Sequence, residues 1–128
     1  MDEPTLARLR ALAIGSPCVR VEYAPWLTIL LREAGGFDIY SCWRLVHDGQ
    51  IVAGHAPPER AKPLATGLIV GQPVTVIQVP GDYNELHLTF ANGAQLETFS
   101  ESPEYEHWQY SSGPDMIIAG PGKLWSSF

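Results

Sequence analysis

Leu12-Ala13-Ile14-Gly15-Ser16-Pro17 returns as Leu68-Ile69-Val70-Gly71-Gln72-Pro73, shifted by 56 residues from Gly15 to Gly71, and that return decides the fold. Working outward, Leu27-Thr28-Ile29-Leu30-Leu31 matches Leu86-His87-Leu88-Thr89-Phe90, and Phe37-Asp38-Ile39-Tyr40-Ser41 matches Leu96-Glu97-Thr98-Phe99-Ser100. Trp43 then meets Trp108, and Ile51-Val52-Ala53-Gly54 meets Ile117-Ile118-Ala119-Gly120. The blocks keep one order, and their spacing only grows. Each increase falls in an expected loop, around Pro80-Gly81-Asp82-Tyr83, at Glu101-Ser102-Pro103-Glu104 and near Gly113-Pro114, where insertions are tolerated best. The 128 residues are therefore read as a single domain built from two internal repeats, about 4–56 and 57–126.

Within each repeat the hydrophobic period names the elements. Leu6, Leu9 and Ala13 form an apolar stripe between Pro4 and Gly15, which predicts a short N-terminal helix. In the second repeat Pro63 falls inside the corresponding stretch, so only a turn or helical fragment is expected there. After Gly-x-Pro the period becomes two. Val19, Val21 and Tyr23 alternate with Arg20 and Glu22, and Val74 and Val76 alternate with Thr75, as in a strand with one buried face. Leu27, Ile29 and Leu31 pair with Phe37 and Ile39 through Glu33-Ala34-Gly35-Gly36. Leu86, Leu88 and Phe90 return with Leu96 and Thr98 through Ala91-Asn92-Gly93-Ala94. The apolar pattern asks for Phe90 opposite Leu96, with a three-residue loop and Gly93 in a left-handed bulge. A last hairpin turns at Asp48-Gly49 in one repeat and near Gly113-Pro114-Asp115 in the other. The expected fold is mainly β, α+β at the margin. It has two tandem units of about five strands each, packed as a sandwich or, less favoured, a pseudo-symmetric barrel.

Charge and composition narrow the partners. A formal net charge of −6 argues against nucleic acid and against an anionic membrane surface, and favours a basic protein as partner. Hydrophobic content of 45 % beside 17 % charged residues is that of a chain with a real core. Cys18 and Cys42 are too far apart for a CxxC site and are read as reduced, buried small hydrophobes. The acidic start Met1-Asp2-Glu3-Pro4 lacks the features of a secretory signal, so the expected location is the cytoplasm.

Motifs for chemistry are few. Neither GxGxxG nor GxxxxGK[ST] occurs, nor HExxH, nor GxSxG. His47, His55, His87 and His107 show no ligand spacing and are read as ordinary strand and loop residues, so no metal and no cofactor is expected. A Cys42–His pair, or Glu97 and Glu101 beside His87, has the right residue types for acid–base or nucleophilic work, but solvated strand faces carry the same residues. The most distinctive segment is Tyr105-Glu106-His107-Trp108-Gln109-Tyr110. Trp43 and Trp108 occur in both repeats and are assigned to the core. Tyr105, Tyr110 and Trp125 have no such counterpart, and with Glu106 and His107 they are the candidate binding residues.

The run from Leu86 to Gly93, then Tyr105-Glu106-His107-Trp108, then Ile117-Ile118-Ala119-Gly120-Pro121-Gly122, resembles small uncharacterised bacterial proteins. These share an Asn-Gly or Asp-Gly turn, a Tyr-Glu-x-Trp segment and a terminal Ala-Gly-Pro-Gly. Some similar small acidic proteins are regarded as immunity proteins that neutralise a toxin by binding it. The resemblance covers roughly Leu64 to Trp125 and implies no catalytic residues. The expected function is thus a non-catalytic protein-binding module of immunity-like type. The alternatives are a ligand carrier or small enzyme with a cavity between the repeats, lined by His87, Glu97 or Cys42, and a homodimer assembled through edge strands.

Overall fold

Each half of the chain opens with a helix, which five strands follow in the first half and six in the second. The computed structural model describes residues 1–54, 57–81, 84–99 and 107–120, and the backbone of 123–127. Helix α1 (Glu3–Ala13) begins where the Asp2 carboxylate accepts from the Thr5 N–H at 2.8 Å. That bond caps an orphan donor, and the Thr5 side chain, followed by this N–H, holds the Asp2 carboxyl below its ordinary range. Strands β1 (Cys18–Tyr23), β2 (Leu27–Leu31), β3 (Gly36–Ile39), β4 (Cys42–His47) and β5 (Gln50–Gly54) follow. Helix α2 (Pro58–Ile69) opens the second half. It leads to β6 (Val74–Gln78), β7 (His87–Phe90), β8 (Gln95–Phe99), β9 (Trp108–Ser112) and β10 (Asp115–Gly120). An eleventh strand, β11 (Lys123–Ser127), closes the chain where about ten strands were expected.

The strands form two antiparallel sheets of a sandwich rather than a closed barrel. Sheet one runs β1-β2-β3-β9-β10-β11 and sheet two β5-β4-β8-β7-β6. Each half therefore builds a three-stranded meander and lends its last hairpin to the other half's sheet. The two exchanges have the same register. Phe37 faces Tyr110 and Ile39 faces Trp108, while Leu96 faces Leu45 and Thr98 faces Trp43. The correspondence extends to the point where the halves meet. Gly15 donates to the Val74 carbonyl and Gly71 to the Cys18 carbonyl, both at 2.7 Å, around a bridge between Pro17 and Pro73. Gly15 and Gly71 stand at φ +92° and +89°, the left-handed conformation that ends each helix at low steric cost.

Three expectations needed correction. Pro63 lies inside α2, which still runs its full 12 residues. One missing backbone bond is offset by the burial of Ala61, Ala65 and Ile69, and the helix packs on β1 and β5. In β1 and β6 the alternation fails at one place in each. A bulge between Cys18 and Arg20, repeated between Val74 and Val76, leaves Val19 44 % and Val76 41 % exposed. In the β7–β8 hairpin the loop has three residues and Gly93 is left-handed at φ +87°. The strands, however, are shifted by two. Phe90 faces Ala94 and Leu88 faces Leu96, which keeps all four side chains on the buried face.

The core lies between the sheets. Ile29, Phe37, Ile39, Trp108 and Tyr110 of sheet one meet Leu45, Ile77, Leu88, Phe90 and Leu96 of sheet two, all at most 1 % exposed. Each such side chain contributes about 1.5–3 kcal/mol by leaving water.

Candidate functional site

The pleat that sends those side chains inward sends their neighbours outward, and the outer face of sheet one carries a polar–aromatic cluster. Glu22, Thr28, Asp38, Gln109 and Ile118 lie in direct cross-strand register from β1 to β10. Asp38 is central. Its Oδ1 accepts from the Trp26 indole N–H at 3.1 Å and from the Thr28 hydroxyl at 2.7 Å. Trp26, 41 % exposed, stands edge-to-face on Tyr40 with ring centroids 5.0 Å apart. Among the described residues nothing donates to Asp38 Oδ2, and no cation pairs with this carboxylate. Glu22, two strands away, differs. The Lys62 ammonium at 3.0 Å, and after it the Arg20 guanidinium, hold its carboxyl below the usual range. An oriented carboxylate beside an exposed indole is suited to a cationic group.

The residues singled out from the sequence are not brought together there. His107 and Tyr110 are buried and belong to the core rather than to a binding surface. The His107 backbone is held by Ala119, Tyr40 and Ser41. The Tyr110 hydroxyl donates to the Ala34 carbonyl at 2.6 Å, and burial raises its pKa above the ordinary tyrosine value. The reason is the period of two. Tyr110 shares its face with Trp108, whose indole donates to the Asn84 carbonyl at 2.7 Å inside the core. Tyr105 and Glu106 lie outside the described residues, and Trp125 is placed only by its backbone, opposite Ile118. Trp26 was overlooked, although the reasoning applied to Tyr105 and Trp125 fits it. Its counterpart in the second repeat is Glu85, so repetition gives it no core assignment.

Comparison with known protein families, curated proteins and solved structures gives no match.

Other features bear on the alternatives. His87 and Glu97, expected to lie near each other, become direct cross-strand partners through the two-residue shift of the β7–β8 register, and they lie on the outer face of sheet two rather than lining an internal cavity. Glu97 is engaged by Arg44, whose Nε and Nη2 donate to one carboxylate oxygen at 3.1 and 2.8 Å. Glu101 lies outside the described residues. Neither Cys18 nor Cys42 is in a disulfide, and burial pushes the Cys18 thiol up to about 11. No group of three His, Cys, Asp or Glu among the described residues is placed to hold a metal. No described helix is long and apolar enough to cross a membrane. An open cleft of about 280 Å³ does lie where the halves join, between β5 and α2. Ile51, Val52, Ala53, Arg60, Ala61 and Leu64 line it, and none of the polar residues proposed for a cavity is among them.

Proposed function

We propose that the chain is a non-catalytic module, built from two diverged copies of one unit, that binds a basic protein through the outer face of sheet one. The observation that carries this reading is the Asp38–Trp26–Tyr40 cluster, an oriented carboxylate with no paired cation among the described residues, beside an exposed tryptophan. Tryptophan and tyrosine dominate interface hot spots because they present large, rigid area at small entropic cost. The net charge of −6 supports the same partner class, since complementary charge accelerates encounter. Neutralisation of a basic toxin, which the sequence resemblance suggests, is the specific form of this reading.

The test is capture from a lysate of the native source, with wild type, Trp26→Ala and Asp38→Asn as parallel baits. A stoichiometric basic partner that is held by wild type, weakened by salt and lost with either variant supports the proposal. A partner retained equally by all three baits would place binding elsewhere on the molecule.

A further inference from the structure

The two halves place equivalent residues at equivalent register positions on their outer faces, and the pair of clusters can be compared atom by atom. Asp38 corresponds to Glu97, Thr28 to His87, Tyr40 to Phe99 and Gln109 to Arg44. The pairings agree. Asp38 faces Thr28 on one side and Gln109 on the other, while Glu97 faces His87 and Arg44.

In sheet two this arrangement is complete. Arg44 donates twice to the Glu97 carboxylate, and its guanidinium carbon lies 5.0 Å from the centroid of the Phe99 ring. The planar cation thus meets a carboxylate and an aromatic ring together, an arrangement for which arginine is better suited than lysine. In sheet one the carboxylate and the ring persist, but the cation does not. Gln109 stands where Arg44 stands, and its amide has no hydrogen-bond partner among the described residues. Trp26 meets the same two partners that Arg44 meets, the carboxylate and the ring, yet it brings one N–H and no charge. One carboxylate oxygen and the negative charge remain unmatched among the described residues, beside an indole that is still 41 % exposed.

We propose that Asp38, Trp26 and Gln109 form a receptor for an arginine side chain of the protein partner. In it the guanidinium donates to Asp38 Oδ2, stacks on the indole and approaches the Gln109 amide oxygen. The inference rests on the binding reading above and adds the chemistry of the group recognised. The internal Arg44–Glu97–Phe99 cluster supplies the pattern, and charge complementarity supplies the occupant. A lysine would satisfy the charge but not the planar double donation.

The test uses the whole chain and an acetylated tri-arginine amide as probe, with the uncharged tri-citrulline analogue and tri-lysine as controls. Binding is read from the Trp26 indole N–H signal in nitrogen-15 NMR, and folding of each variant from near-ultraviolet circular dichroism. Tri-arginine is expected to shift that signal saturably, tri-lysine more weakly and tri-citrulline not at all. Asp38→Asn should weaken tri-arginine binding about tenfold or more, because a charge-assisted pair is replaced by a neutral one. Gln109→Arg should abolish it, because the new guanidinium would occupy the receptor from within as Arg44 does in sheet two. Both replaced residues are only half-buried, and in Asp38→Asn the side-chain amide oxygen can still accept from Trp26, so both variants are expected to fold. Equal binding of tri-arginine and tri-citrulline, or undiminished binding by folded Gln109→Arg, would overturn the receptor. If tri-arginine fails to bind while Trp26-dependent capture persists, the arginine assignment falls and the binding face stands. If both fail, both readings fall.

Discussion

The two halves of the molecule agree inside and differ outside. Between the sheets they keep the same register, and the exchanged pairs Phe37–Tyr110 and Leu96–Leu45, Ile39–Trp108 and Thr98–Trp43 fill equivalent places. On the outer faces, sheet two closes its carboxylate with Arg44, whereas sheet one leaves Asp38 beside Trp26 and Gln109. Interior positions are constrained by the pleat, so the same positions face inward in both halves even where the side chains differ, as Tyr110 and Leu45 do. Exterior positions carry no such constraint, and it is there that the two halves differ.

Truncating the equivalent tryptophans should give the largest effect. Trp108→Ala is expected to lower stability by about 3–5 kcal/mol in equilibrium denaturation, through lost packing and the stranded Asn84 carbonyl. Trp43→Ala should cost less than Trp108→Ala. Trp43 Nε1 is buried without an acceptor among the described residues, and its removal relieves a desolvation penalty of about 1–3 kcal/mol. An equal loss at both sites would mean that the missing acceptor has no energetic consequence. Next come the counterparts Arg44 and Gln109. Arg44→Ala should destabilise by about 1–2 kcal/mol because Glu97, with 16 % of its side chain exposed, loses its cation. Gln109→Ala should stay within about 0.5 kcal/mol.

A smaller difference separates Cys18 from its counterpart Val74. The folded state holds the Cys18 thiol protonated to about 11, while an unfolded thiol ionises near 9.0. The unfolded chain therefore binds fewer protons between those values, and stability falls as pH rises through that window. Cys18→Val should remove that part of the alkaline decline in pH-dependent melting, and an unchanged slope would show that other groups cause it. The smallest effect on stability is expected at β5, the outer strand of sheet two, where β10 in sheet one is covered by β11. Ile51, 66 % exposed, should accept lysine within about 0.5 kcal/mol. If the chain self-associates through this edge, Ile51→Lys should shift it toward monomer in sedimentation.

Much of the fold was legible because the repeated blocks were strands and turns in fixed order. Gly15 as the helix stop and the Asp48-Gly49 turn followed from local pattern, and the core role of Trp43 and Trp108 from their recurrence. What local pattern could not reach was long-range. Nothing between Phe37 and Trp108 announces that β3 pairs with β9, because a strand's period names its face and not its neighbour. The bulges at Val19 and Thr75 add one residue to each strand and break the alternation that named those strands. For the site, the error over Tyr110 was avoidable, since two residues from Trp108 means the same face. Trp26 was harder, because it precedes its strand and gains meaning only when Asp38 and Tyr40 arrive from elsewhere in the chain.

The exchange of terminal hairpins also makes each half a tenant of the other. A half taken alone would hold a three-stranded meander with an uncovered edge and a loose hairpin with no sheet to join. Chains cut between β5 and α2 should therefore stay largely unfolded apart and regain structure when mixed, with the rate set by encounter. In the intact molecule the same interdependence removes any partly folded refuge, so damage to one sheet is felt at once in the other.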